Sequence, residues 1–395
     1  MKNKFQFYVM ISIVTISGIS QGMLLPVIAV IFEKEGVSAG LNGFHASVLY
    51  LGILAISPFL EKPLRRYGTK PMILIGCLAV WSSLFLFIFI KGFISWLVLR
   101  FLIGVGDHML HVGSQTWITT STDKAKMGRS LSIYGLFFSI GFAIGPILSN
   151  TLQFGEYVPF LISGICCFIG WLFVLPLKNS IPVSSKKDSS NRSSFNRYRL
   201  VLKYSWVAML GPMVYGILEA MLNSNFPVFA MRSGFSIKDI SFLLLGFTVG
   251  GIITQIPLGY LGDRFGRGKV LKVVLILSTC VFLTGSFTSQ FYFIAIVLIL
   301  TGTLLGSCFS LGLGYVNDLL SEDLIPAGNI ITGMAFSIGS VSGPIIGGKV
   351  MELFPNLNFF ISISVLIGVI AIIFAMKSVT SKSVNKSEEQ LKIGS

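Results

Sequence analysis

Charge is scarce in this chain. Only 12% of its 395 residues are Asp, Glu, Lys or Arg, while 53% are hydrophobic, about half the charge that a water-soluble globule carries. Acid is scarcer still, with 16 Asp and Glu against 30 Lys and Arg. There are three histidines and five cysteines, and Cys77, Cys166, Cys167, Cys280 and Cys308 show no CxxC spacing. That leaves no metal-ligand set and no disulfide framework, so the cysteines are expected to be small buried hydrophobes. No GxxxxGK[ST] loop is present, which argues against ATP hydrolysis. No nucleophile and base pair stands out and most loops are short, so we expect no enzyme, no cofactor and no metal.

What is abundant is apolar sequence in blocks of about 20 residues, the length that crosses a bilayer as a helix. Such blocks lie near 7–31, 42–60, 71–90, 95–118, 130–149 and 158–177, and again near 204–230, 240–260, 270–289, 291–315, 330–350 and 359–376. The fold class is therefore all-α integral membrane, with twelve spans as six plus six.

The two sets are related in sequence. FSIGFAIGPI at 138–147 returns as FSIGSVSGPI at 336–345, an offset of 198 residues, and the same offset carries Arg66 and Gly68 onto Arg264 and Gly266. Two motifs in one register point to a duplicated membrane half, as in many transporters. The expected organisation is a first half over 1–178, a polar linker over 179–203, a second half over 204–377 and a polar tail over 378–395. The linker core NSIPVSSKKDSSNRSSFNRYR is rich in Ser, Asn and basic residues and reads as flexible.

Basic loops stay on the cytoplasmic side of a membrane. With the amino terminus inside, 24 of the 30 basic residues fall in cytoplasmic stretches, only Lys34, Lys91, Arg232, Lys238 and Lys349 fall outside, and Arg100 is left within a span. Both termini are then cytoplasmic, the first span is uncleaved, and the protein sits in the cell membrane. The net charge of +14 follows from topology, so no nucleic acid partner is needed.

Ionisable residues inside the spans are few. At about 100° per residue, Arg100, Gly104, Asp107, His111 and Gln115 form one stripe of the fourth span, with His108 at its edge. Charges near the bilayer centre cost several kcal/mol and face protein or a water-filled cavity. Arg100 could stabilise the ionised Asp107, and histidines suit proton uptake and release. The alternative is a static cluster in which Arg100 and Asp107 pair. In the seventh span Tyr215, Glu219 and Asn223 share a face, and the repeat places Gln21 of the first span at the equivalent of Glu219. A buried carboxylate resists ionisation, which would let Glu219 hold a proton and release it when a cavity opens; Asp107 is the second choice. Asn223, Asn225 and His45 could bind substrate or only satisfy backbone.

Gly259-Tyr260-Leu261-Gly262-Asp263-Arg264-Phe265-Gly266-Arg267, in the turn after the eighth span, resembles the signature of the major facilitator superfamily. There, acid and base grip a neighbouring helix end and hold the transporter closed on the cytoplasmic side. The resemblance implies that role for Asp263, Arg264 and Arg267, with Gly259 and Gly266. The first copy keeps Arg66 and Gly68 but has Glu61, Arg65 and Thr69 at the leading glycine, the aspartate and the last arginine. Arg100 before Gly104 and Gly106 is similar to the family's fourth-span motif. Gly141, Gly145 and Pro146 resemble the GxxxGP element of its drug and proton antiporter branch, repeated as Gly339, Gly343 and Pro344. Glycines allow close helix packing and proline removes a backbone donor. In this family the first and seventh spans line a central cavity.

The function that resemblance implies is secondary active transport by alternating access, as proton-coupled efflux of a hydrophobic or cationic small molecule by a monomer surrounded by lipid. The alternative is a carrier of a metabolite such as a sugar or organic anion, coupled or facilitative, with Arg100 and the histidines as substrate ligands.

Overall fold

The computed structural model describes residues 4–122, 124–181, 194–287, 290–321 and 324–377. The first repeat contributes α1 (Lys4–Lys34), α2 (Ala39–Ile56), a short α3 (Glu61–Tyr67), α4 (Thr69–Phe89), α5 (Phe93–Ser121), α6 (Lys124–Ile144) and α7 (Val158–Val174). After α8 (Ser194–Ser205), the second contributes α9 (Leu210–Arg232), α10 (Ile237–Phe265), α11 (Arg267–Thr284), α12 (Phe291–Leu305), α13 (Cys308–Leu319), α14 (Ile325–Leu353) and α15 (Phe359–Lys377). No strand occurs among the described residues. Among the described residues ten helices are long and apolar enough to cross a membrane, eleven if α8 and α9, bent by 88°, count as one span. The 17-residue α7 fills the remaining block. Each of the twelve apolar blocks is thus helical, in a multi-pass membrane protein.

Four local expectations change. The stretch read as a flexible linker contains helix α8, and its start is pinned: the Asn179 side chain donates to the Tyr67 carbonyl (2.8 Å) and accepts from the Lys70 amide (3.1 Å). Its residues 182–193 lie outside the described residues. The tenth span is broken at Gly306-Ser307 between α12 and α13. The GxxxGP element tightens into a 3-10 segment over Gly145–Phe154, where Pro146 withholds a donor, whereas α14 continues through Pro344. Finally, Cys280 is exposed, unlike buried Cys77, Cys167 and Cys308.

By density of contacts the chain forms two units, Met1–Asp188 with Leu222–Leu245, and Ser189–Met221 with Gly246–Ser395. Leu222–Leu245, counted with the second half by sequence, therefore packs with the first unit. There, Arg232 at the end of α9 donates to both oxygens of Glu33 near the end of α1, at 2.7 and 3.1 Å.

The 198-residue offset reappears in the packing. A Cβ on Gly52 would strike the backbone at Phe101 and Val105, and one on Gly250 the backbone at Ile299 and Thr303. Gly104 meets Leu49 as Gly302 meets Phe247, and Gly141 meets Thr15 and Ile19 as Gly339 meets Met213 and Ile217. Every partner is shifted by the same 198 residues. Small residues let helix backbones touch, the main way helices associate where lipid is as apolar as leucine.

Candidate functional site

The polar stripe is aimed by glycines. Gly104 on one side of α5 lies on α2 at Leu49, and Gly106 on another lies on α4, where its Cβ would be 2.6 Å from the Gly76 carbonyl. Neither contact tolerates rotation of α5, so Asp107 and His111 are left to face α1. Helix α1 is held in turn against α6, because Gly18, Gly22, Gly141 and Gly145 all touch backbone across that pair.

Asp107 is buried and accepts hydrogen bonds from the Ser17 hydroxyl on one oxygen and the Gln21 amide on the other. His111 Nε2 lies 3.4 Å from the second oxygen and 3.3 Å from the Ser17 hydroxyl oxygen, and its Nδ1 is 2.7 Å from the hydroxyl of Tyr134, a buried residue of α6. The Ser17 hydrogen is committed to Asp107, so the Ser17 oxygen accepts from the Nε2 of His111 while Nδ1 accepts from Tyr134. Phenol, imidazole, the Ser17 hydroxyl and carboxylate thereby form a line of donors and acceptors across α6, α5 and α1, within the first unit.

Arg100 belongs to a different cluster. Its guanidinium is fully buried, with one nitrogen donating to Nδ1 of His45 at 2.9 Å and another to the Leu24 carbonyl at 3.2 Å. Since arginine can only donate, His45 Nδ1 must be the acceptor. Phe32 and Phe93 pack against the His45 ring with centroids 4.8 and 5.1 Å away. No ion pair joins Arg100 to Asp107 among the described residues, so the alternative of a static pair of Arg100 with Asp107 is not what is seen. Two helical residues seven positions apart share a face but are separated by about 10 Å along the axis. His108 turns aside to Ser57 on the second span, 2.9 Å away, and Gln115 is exposed. The stripe thus divides into Asp107 with His111, Arg100 with His45, and a separate His108.

On α9, Glu219 and Asn223 are buried and Tyr215 is hydrogen-bonded to Glu219 one turn away. Gln21, its repeat equivalent, serves Asp107 instead.

In the turn after α10, Arg267 is the organising residue. It donates to Asp263 (2.8 Å), to Asp318 on α13 (2.8 Å) and to the Gly314 carbonyl (3.0 Å). Gly314 leaves room for that guanidinium, whose Cδ would lie 2.8 Å from an added Cβ. Arg264 stacks on the Phe265 ring at 5.3 Å, as Arg66 does on Tyr67 at 5.3 Å. Gly266 and Gly68 have φ of 92° and 89°, a left-handed region that favours glycine. A Cβ added to Gly259 would meet no atom of another element within 4 Å, so no close helix approach requires a glycine there.

Several participants escaped sequence reasoning. Ser17 and Tyr134 are ordinary residue types whose only signal is i+4 spacing, from Ser17 to Gln21 and from Tyr134 to Phe138. Asp318 stands near the end of its span without a motif, and Asn179 sits in a stretch read as unstructured.

The description of the Major Facilitator Superfamily matches residues 10–239 and 208–393. The chain belongs to this family of membrane transporters. It is 45% identical over 359 residues to the MFS-type transporter YfkF of Bacillus subtilis, covering 91% of this chain and 92% of that one. It is 27% identical over 369 residues to multidrug resistance protein 1 of the same organism, covering 90% and 92%. Among solved structures, the nucleoside transporter NupG superposes with a TM-score of 0.79 at 14% identity over 96% of this chain and 99% of that one. A bacterial homologue of the human lysosomal transporter Spinster, inward-facing and unoccupied, gives 0.73 at 16% over 97% and 98%. These last two establish the fold alone. As a transporter of this superfamily, the chain carries a small-molecule substrate.

Proposed function

We propose that this transporter exports a hydrophobic or cationic small molecule in exchange for protons, working by alternating access of its two six-helix halves, with Asp107, His111 and Tyr134 as the proton path. The observation that carries the reading is the buried Asp107 held by Ser17 and Gln21 with His111 beside it. A carboxylate whose nearest cation-forming group is a histidine can exchange a proton with it, and the imidazole can exchange with Tyr134 through its other nitrogen. Glu219, a second buried acid, is suited to meet the positive charge of a cationic substrate. The likeness to a multidrug resistance protein supports export of an apolar compound, and the basic loops support cytoplasmic termini in a cell membrane.

An anion carrier would need Arg100 free to take substrate. Its complete burial and its bonds to His45 and Leu24 speak against that alternative.

The test uses proteoliposomes containing a pH-sensitive dye, with lipophilic cations, sugars and organic acids added in turn. Proton movement driven by a lipophilic cation and lost in Asp107→Asn, with Glu219→Gln raising the cation concentration needed, is the expected result. Flux of sugar or acid without proton movement, or full coupling in Asp107→Asn, would overturn it.

A further inference from the structure

We propose that the groove beside α3 binds an anionic phospholipid from the leaflet that faces the basic loops. This assignment rests on the orientation given by those loops and is independent of the transported substrate. A cavity of about 230 Å³ lies between α3, the start of α4 and α5, walled by Pro63, Tyr67, Pro71, Met72, Ile75 and Met109. Every one of these side chains is aliphatic, aromatic or a thioether except for the Tyr67 hydroxyl. Tyr67 and Ile75 are more than half exposed, so the cavity opens sideways, where an acyl chain would enter. Proline rings form two of its walls and cannot swing in to close it.

The rim of this apolar slot is positive. Lys62 and Arg66 are exposed and lie four residues apart on one face of α3. The Arg66 guanidinium stands over the ring of Tyr67, which itself lines the cavity, so a cation adjoins the mouth. Lys70 is engaged elsewhere, its ammonium donating to the Leu175 carbonyl at 2.6 Å. No ion pair joins Lys62 or Arg66 to any described side chain.

The second repeat differs at this turn. There Arg267 is neutralised by Asp263 and Asp318. At the equivalent places the first repeat has Thr69, Arg65 and Thr120, so neither aspartate has a counterpart, and the one acid of this turn is Glu61 at the place of Gly259. An apolar slot with the exposed Lys62 and Arg66 at its rim fits a ligand with an acyl chain and a net negative head group. A zwitterionic lipid would bring a positive group to the same rim.

Native mass spectrometry of the full-length protein, titrated in detergent with dioleoyl phosphatidylglycerol or dioleoyl phosphatidylcholine, tests the assignment. One tightly retained phosphatidylglycerol is expected, with about tenfold preference over phosphatidylcholine. The double variant Lys62→Gln, Arg66→Gln should erase the preference without shifting the melting temperature, and Ile75→Trp, which fills the slot, should weaken retention of both lipids. Equal retention of the two lipids by the native protein, unchanged preference in the double variant, or displacement of the lipid by glycerol 3-phosphate would each overturn it.

Discussion

Gly104 and Gly302 occupy the same place in the two repeats and press on the same place of a partner helix, Leu49 in one and Phe247 in the other. Three residues further along, the first repeat has Asp107 and the second Leu305; at the next turn His111 is matched by Phe309, and Arg100 by Leu298. The backbone contacts have been kept and the polar chemistry has been concentrated in the first repeat, with Glu219 as the acid buried in the second. The turns joining the second to third and eighth to ninth spans differ in the reverse sense. The second repeat closes its turn with an arginine between two aspartates, and the first with the neutral side chain of Asn179. Packing without polar atoms can be copied, because lipid is indifferent to which leucine faces it. A buried charge costs several kcal/mol wherever it stands and survives only where neighbours satisfy it.

The shared packing is where substitution should hurt most, and equally in both repeats. Gly104→Leu and Gly302→Leu each force side-chain atoms into backbone, costing about 3 kcal/mol or more, so yield of folded protein and melting temperature in detergent should fall together. A variant that melts normally in one repeat alone would break the equivalence. The next effect separates the repeats. His111→Gln should slow substrate-driven proton movement about 100-fold, while Phe309→Gln at the equivalent position, read with the same internal pH dye, should leave coupling intact. Tyr134→Phe should cost about fivefold, the worth of one hydrogen bond, again in proton movement and not in substrate binding. At the turns, Arg267→Gln and Asn179→Ala should each loosen their hairpin by about 1 kcal/mol, measured as hydrogen exchange of the turn amides. Raising salt should shrink the first effect and spare the second, since only an ion cluster is screened. Smallest of all, Glu33→Gln should change stability by less than about 1 kcal/mol, because Arg232 is partly exposed.

Much of this was legible beforehand. The spans follow from runs of apolar residues, and the duplication from two motifs at one offset, so the twelve helical blocks and their pairing needed no coordinates. The GxxxGP element pointed to close helix packing but not to its partner, which is the first span: Gly141 and Gly145 meet the backbone at Thr15 and Gly22. The polar stripe of the fourth span was visible too, but its division was not. Helical phase tells which way Arg100 and Asp107 point and says nothing of their partners, which lie on α2 for one and on α1 and α6 for the other. Arg264 drew attention beside Asp263, yet it stacks on Phe265 while Arg267 reaches Asp318. That choice depends on the room left by Gly314 in a helix nearly 50 residues away.

By itself the sequence determined that this chain crosses the membrane, that it is doubled, and which family it resembles, because length, hydropathy and repeated glycines act locally and in register. The tertiary structure alone decided that Asp107 meets Ser17, Gln21 and His111, that Arg100 is given to His45, and that Arg267 is held between Asp263 and Asp318. Such pairings arise between helices far apart in sequence, where a rotation of one helix or a single missing side chain settles which polar groups come within hydrogen-bond reach.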